Sequence, residues 1–127
     1  MTTRETTAPP TVGQVVGRNL ARLRERRGQT QKEAAEAIRR AGLAWTSANI
    51  ASIESGRREG IEFSALALLA HAYDVPLTAF FEGDGEMRLS DEATVELAEF
   101  RRWLNDEASL APTVSGEAAR RLIRSLP

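Results

Sequence analysis

Apolar residues recur along this chain at the three- and four-residue spacing of amphipathic helices. No stretch alternates apolar with polar residues, as a half-buried strand does. The first helical pattern predicts a helix over residues 12–27 that stops at Gly28. Its apolar positions are Val12, Val16, Leu20 and Leu23. The spacing therefore predicts an all-α fold.

A second helix is predicted directly after this glycine. Thr30 is a good N-cap and Glu33 follows three residues later, which is the spacing of a capping box. The helix is expected to run to about Arg40. Its apolar face is narrow and allows close approach of another helix, since it consists of Ala34, Ala35, Ala37 and Ile38.

A third helix is predicted over residues 46–55, with Thr46 as its cap and Gly56 as its stop. Ile50 and Ile53 lie three residues apart and are expected to face the core. Two short helices joined by a turn form a helix-turn-helix. We therefore predict this motif at about residues 30–56.

The remaining pattern predicts further helices and one linker. A fourth helix is expected over residues 64–73 and a short fifth helix after Pro76. Ser90 is expected to cap a sixth, and a last short helix would carry Ala118, Leu122, Ile123 and Leu126. The predicted organisation is a disordered N-terminal tail (1–10), a helix-turn-helix domain (11–83), a linker (84–89) and a C-terminal helical region (90–127).

Three segments together resemble the Cro/C1-type repressor domain, also called the XRE family of helix-turn-helix transcriptional regulators. They are GRNLARLRERRGQTQKEAAEAIRR, ANIASIESGRRE and ALALLAHAYDVPLTAFFEG, within residues 13–83. The resemblance implies a five-helix lambda-repressor-like domain whose third helix lies in the major groove of DNA. The region after it is similar to the helical dimerisation extension of some actinobacterial members.

The resemblance also implies which residues contact DNA. The base-reading positions would be Thr46, Ser47, Ala48, Asn49 and Ser52. Residue chemistry agrees, because asparagine can pair with adenine, serine with several base edges, and alanine with a thymine methyl. The alternative is that these are merely short, solvent-facing residues. Gln31, Lys32, Arg57 and Arg58 are expected to bind phosphates, which sets register without reading sequence.

Two further expectations concern the interior. Glu54 resembles a family glutamate that pairs with an arginine of the first helix, here Arg24, and a partly buried ion pair is predicted. The segment IRRAGLAWTSANI is about five residues longer than the compact repressors have, so either the second helix is extended or the turn is widened. Trp45 in this segment is expected to cover the core, or else to stand near the DNA backbone.

The charge is divided between the two halves of the chain. Residues 1–60 carry 11 basic and 6 acidic residues, a net charge of +5, and residues 61–127 carry 6 basic and 12 acidic residues, a net charge of −6. A basic half beside an acidic half favours a polyanion-binding module joined to a second element. The expected partner is double-stranded DNA, with a further protein partner for the acidic C-terminal region.

A homodimer is expected, because the C-terminal region has more apolar positions than one helical pair needs. The dimerisation residues would be Leu97, Phe100, Trp103, Leu104, Leu122, Ile123 and Leu126. Two recognition helices would then enter successive major grooves.

Enzymatic activity, a cofactor, a metal and membrane insertion are not expected. The chain has no cysteine, no phosphate-binding glycine loop and one histidine, His71, which is expected to be partly buried in the fourth helix. A cytoplasmic, nucleoid-associated bacterial or phage regulator, acting as a repressor, fits best. Two alternatives stay open: an antitoxin of the same fold whose acidic half binds a toxin, and a helical protein-interaction module.

Overall fold

The computed structural model describes residues 8–115, which contain both helices and strands. The α-helices are α1 (Val12–Arg26), α2 (Gln31–Arg40), α3 (Ser47–Glu54), α4 (Phe63–Tyr73) and α5 (Leu97–Leu104). A 3₁₀ helix (Leu77–Phe81) follows α4. The strands are β1 (Glu86–Ser90), β2 (Ala93–Glu96) and β3 (Thr113–Val114).

The first four predicted helices are confirmed to within one or two residues. Each of the first three begins at a threonine whose hydroxyl accepts the backbone N–H three residues on, while the side chain at that position accepts the threonine N–H in return. This reciprocal capping box satisfies two backbone donors at each helix start. The capping threonines are Thr11, Thr30 and Thr46.

The expectation of an all-α fold is wrong beyond the 3₁₀ helix. Strands β1 and β2 pair antiparallel, with Met87 opposite Val95, and β3 pairs with β2 at the far edge. The linker predicted at residues 84–89 and the first part of the helix predicted to start at Ser90 are therefore replaced by a β-hairpin, whereas the rest of that helix is present as α5. Met87 and Val95 are the only buried residues of these two strands. With one buried residue in each short strand, the sequence shows no recognisable alternation of apolar and polar residues.

The start of the described chain is bound to this hairpin. Arg88 donates its backbone N–H to the carbonyl of Pro10 at 2.7 Å and its Nε to the carbonyl of Pro9 at 3.1 Å. Residues 9 and 10, expected to belong to a disordered tail, thus cover the outer edge of β1. Residues 1–7 of that tail lie outside the described residues, as does the helix predicted around Leu122.

One hydrophobic core joins the helix-turn-helix region to the hairpin and α5. Met87, Val95 and Leu97 are buried in the same cluster as the apolar residues of α1 to α4. The Phe100 ring of α5 packs on Phe81 of the 3₁₀ helix, with 4.8 Å between ring centroids. The region after residue 84 is therefore part of the packing that holds the domain together.

Helix α1 crosses α3 with almost no space between their backbones. A methyl group at Gly17 would overlap the carbonyl oxygen of Ile53, and one at Gly13 would overlap the carbonyl oxygen of Arg58. The two glycines lie four residues apart, on one face of α1. They allow α1 to reach the C-terminal end of α3 and fix the position of that helix.

Two other observations bear on the expectations above. His71 is exposed rather than partly buried. No helix within residues 8–115 is long and apolar enough to cross a membrane.

Candidate nucleic-acid interface

Helix α3 presents a continuous outer face of short, uncharged side chains. Ile50 and Ile53 are fully buried and hold the opposite face to the core. At about 100° per residue, the outward positions span about 140° of the helix surface. They are Ser47, Ala48, Ala51, Ser52 and Ser55, all exposed or half-buried.

The hydroxyls of Ser47 and Ser52 form no hydrogen bond with residues 8–115, whereas the Ser55 hydroxyl donates to the carbonyl of Ser52 at 3.0 Å. Two unbonded hydroxyls and an exposed Ala48 methyl can meet base edges without clashing. Ala51 and Ser55 were missed from the sequence. The four-residue steps from Ser47 to Ala51 and to Ser55 were the available signal.

Asn49 stands at the flank of this face and is already engaged. Its Oδ1 accepts the backbone N–H of Thr46 at 2.8 Å and the Thr46 hydroxyl at 3.1 Å. Both lone pairs of the amide oxygen are thus used in the cap. A bidentate contact with adenine, as predicted from the sequence, would require this cap to open.

Glu54 at the end of α3 joins three helices. Its Oε2 accepts Arg24 Nε at 2.7 Å, and its Oε1 accepts Arg24 Nη2 and Gln31 Nε2, both at 3.0 Å. The predicted pair between Arg24 and Glu54 is therefore present and is bidentate. The side chains of Arg24 and Glu54 are 14% and 8% exposed. The hydrogen bond to Glu54 raises the pKa of Arg24, although burial acts in the opposite direction.

The residues expected to bind phosphate differ in how free they are. Gln31 is held by Glu54, while Lys32 beside it is exposed. Arg57 is exposed just beyond α3. Arg58 is half-buried, with its guanidinium 5.4 Å from the ring centroid of Trp45. Lys32 and Arg57 are therefore the charges of this set that reach solvent without a partner among the described residues.

The segment before α3 is a widened turn. Helix α2 ends at Arg40 and α3 begins at Ser47, so six residues separate them instead of the usual three or four. Trp45 anchors this turn: it is 9% exposed and belongs to the core, as expected. Leu43 is half-buried against the same core. Anchoring at two points gives the longer turn a defined path into α3.

Two arginines of α1 do not face the interface. Arg22 donates Nη2 to the carbonyl of Ala79 at 2.9 Å, and Arg18 donates Nη2 to the carbonyl of Glu82 at 3.3 Å. The buried Asn19 between them binds carbonyl oxygens of the same segment. This surface of α1 holds the 3₁₀ helix in place.

The residues expected to form a dimer interface are only partly available to a partner. Leu97 is fully buried and Phe100 is 8% exposed, both packed within the chain. Little of these two side chains is left for a partner, because α5 packs on its own domain. Trp103 is 40% exposed and Leu104 is half-buried. The other three, Leu122, Ile123 and Leu126, lie outside the described residues.

These features define a helix-turn-helix domain. Helices α2 and α3 are both capped, a turn joins them, and the buried carboxylate of Glu54 holds α3 to the core. Comparison with protein families agrees: the model of a family described as a helix-turn-helix domain matches residues 15–80, more than half of the chain. The chain belongs to this family. Its members are DNA-binding regulators and typically not enzymes. No curated protein and no solved structure gave a significant match.

Proposed function

We propose that the protein is a sequence-specific transcriptional regulator of the Cro/C1 type that reads the major groove with α3. The observation that carries this proposal is the outer face of α3, which is small, uncharged and bordered by basic residues. A major groove about 12 Å wide admits a helix, and short side chains let it approach the base edges.

Base reading is assigned to the free groups of this face. Ser47 and Ser52 would bond base edges through their hydroxyls, and Ala48 would contact a thymine methyl. Thr46 and Asn49 would act by capping the helix, because their side chains bind one another. Ala51 and Ser55 would contribute by their small size.

Affinity would come chiefly from basic side chains that meet phosphates. Arg57 and Lys32 flank the two ends of the motif and are exposed. Arg58 would contribute from its position against Trp45, and Gln31 through its place in the first turn of α2. Phosphate contacts add sequence-independent affinity that falls as salt rises.

Repression is the regulatory outcome we favour, by occupation of an operator. We further propose a homodimer whose two α3 helices enter successive major grooves about 34 Å apart and read a near-palindrome. Such a protein would act inside the cell, at the nucleoid.

Selection of bound sequences from random DNA, followed by mobility shifts over a salt series, tests the proposal. The expected result is a short enriched site with two-fold symmetry and a steep loss of affinity with salt. Absence of binding at low salt would overturn it and would favour the interaction-module alternative, whereas co-purification of a basic protein partner would favour the antitoxin.

Single substitutions distinguish residues that read bases from residues that bind phosphates or hold the helix in place. Ser52→Ala should relax discrimination at one base pair, at a cost of about 1–3 kcal/mol if its bond is good. Arg57→Ala should weaken binding to every sequence and reduce the salt slope by about 1. Asn49→Ala should weaken all sequences alike through loss of the cap. Selective loss at one base pair in Asn49→Ala would show instead that Asn49 reads a base.

A further inference from the structure

The widened turn before α3 and the segment after α3 border the same open cavity, although the helix separates them in the sequence. Leu43 and Trp45 line the cavity from the turn, and Arg58, Gly60 and Ile61 line it from the segment that leads to α4. The guanidinium of Arg58 lies 5.4 Å from the centroid of the Trp45 ring, which is a cation–π distance. Arg58 therefore stands beside the turn that leads into α3, and an aromatic face holds its charge there.

Arg58 differs from the other half-buried arginines in what its side chain binds. Within residues 8–115, each of the others donates at least one guanidinium hydrogen bond to a protein oxygen; they are Arg22, Arg24, Arg88 and Arg101. Arg58 donates none to that part of the chain, and the exposed Glu62 borders the same cavity without forming an ion pair with it. A guanidinium has five N–H donors, and leaving them unbonded is unfavourable. The donors of Arg58 are thus available to an anion from outside the domain.

The backbone around Arg58 is also held in place. Gln14 of α1 donates Nε2 to the carbonyl of Gly56 at 3.3 Å, and the backbone N–H of Gly13 donates to the carbonyl of Glu59 at 2.9 Å. These two bonds tie the chain on either side of Arg58 to the first turn of α1. Because the tryptophan ring holds the side chain as well, little conformational freedom is left for Arg58 to lose on binding, which favours affinity.

We propose that Trp45 is a positioning residue for DNA binding, whose ring holds the Arg58 guanidinium for a phosphate of the DNA backbone beside the start of α3. The longer turn then has a function, because it is the segment that brings the ring to Arg58. The two neighbouring arginines act differently. Arg58 is ordered before DNA binds, whereas the exposed Arg57 has no partner within residues 8–115 and becomes ordered only on the DNA. This inference rests on the proposed DNA-binding function and gives Trp45 a role that the base-reading face of α3 does not require.

A double-mutant cycle on the full chain tests the coupling between the two side chains, with a labelled duplex that carries the selected site. Arg58→Ala should weaken binding about eightfold per subunit at about 0.1 M salt and reduce the salt slope by about 1, as loss of one phosphate contact does. Trp45→Leu should weaken binding about two- to fivefold per subunit, the equivalent of one exposed cation–π contact. The double variant should bind like Arg58→Ala alone. Losses that multiply would overturn the proposal.

Arg57 supplies the matched control, because it carries the same charge one position earlier in the chain. In the Arg57→Ala background, Trp45→Leu should keep its full effect of about two- to fivefold, since the ring holds Arg58. Equal coupling of Trp45 to both arginines would show that Trp45 acts through the path of the turn, which would contradict the proposal.

Trp45 is also a core residue, so its effect on stability is measured separately from its effect on DNA binding. Trp45→Phe keeps an aromatic face and should bind DNA more tightly than Trp45→Leu does. Leu43→Ala removes the other anchor of the turn and leaves the ring in place. It should lower the midpoint of thermal unfolding without the loss of DNA affinity seen in Trp45→Leu. Equal affinities of the Phe and Leu variants, or the same loss in Leu43→Ala, would assign Trp45 a purely structural role.

Fluorescence provides a test that leaves Trp45 in place and does not depend on the folding of Trp45→Leu. The chain has two tryptophans, so Trp103→Phe makes Trp45 the only one. Saturating DNA should change the Trp45 emission in this background, and still do so after Arg57→Ala, because phosphate binding alters the charge beside the indole. After Arg58→Ala the change should disappear. The same change with and without Arg58, or no change in any variant that binds DNA, would refute the assignment.

Failure of this inference and failure of the proposed function give different results. If the wild type binds no DNA at low salt, the proposed function fails and the role of Trp45 fails with it. If the wild type binds DNA but Trp45 and Arg58 show no coupling, only the inference fails, and Arg58 is then a phosphate contact independent of the ring.

Discussion

Replacement of Glu54 by alanine removes the carboxylate that connects three helices. Arg24 would lose two hydrogen bonds and keep the one from Nη1 to the carbonyl of Gln29, at 2.8 Å. Gln31 would lose its bond as well. The guanidinium would remain largely buried with only the exposed Glu25 carboxylate, 3.8 Å away, to compensate its charge, and breaking a buried ion pair from one side is costly.

The expected destabilisation is about 3 kcal/mol. Breaking one side of a buried ion pair costs about 3–5 kcal/mol, and the lower value applies here because Arg24 is partly exposed and retains one partner. For a chain of this length, that corresponds to a fall of about 10 °C in the midpoint of thermal unfolding.

Glu25 supplies the matched control, since it faces the same guanidinium. Its carboxylate lies 3.8 Å from Arg24 Nη2 and its side chain is 71% exposed, so Glu25→Ala should change stability by less than about 0.5 kcal/mol. Urea unfolding of both variants, with Arg24→Ala and the double variant, gives the coupling energy. Equal effects from Glu25→Ala and Glu54→Ala, or no coupling between Arg24 and Glu54, would refute the reasoning.

Three other predictions concern stability. Gly17→Ala should lower the free energy of unfolding in urea by about 1–3 kcal/mol and weaken DNA binding, because the added methyl overlaps the Ile53 carbonyl. Gly60→Ala is the control and should do neither, since the space around Gly60 is open. Burial raises the pKa of Tyr73, so its contribution to stability is present below pH of about 10 and is lost as pH rises through the folded-state pKa. As the only tyrosine, it can be titrated by phenolate absorbance; a midpoint equal to that in denaturant would contradict this. Thr30→Ala should cost about 1 kcal/mol in thermal unfolding, and an unchanged midpoint would show that the cap of α2 is unimportant.

The helices up to residue 81 could be predicted because their signals are local. Threonine caps, glycine stops and apolar spacing each depend on residues a few positions apart. The β-hairpin could not be predicted in this way. Strands β1 and β2 have one buried residue each, Met87 and Val95, and their burial depends on a core assembled from distant segments. Leu97 and Phe100 were assigned to a dimer interface for the same reason. Their apolar spacing can be recognised in the sequence, but the part of the domain that covers them cannot.

The site shows a similar division. The pairing of Arg24 with Glu54 was expected because the resemblance specified both partners. The role of Asn49 was not, because its position three residues after a capping threonine supports either a cap or a base contact. Gln31 presents the same ambiguity, and in the structure its amide binds Glu54. Short-range patterns identify which helix faces outward, but hydrogen bonds decide which polar groups remain free.

The side chains that attach helix α3 to the domain are different from those proposed to contact DNA. Ile50, Ile53 and Glu54 hold it to the core, and Thr46 with Asn49 secures its start. None of the outward positions takes part in that attachment through a side chain. Substitutions there could redirect the protein to a new operator with little loss of stability. Related regulators could thus diverge in target while their scaffold stays unchanged.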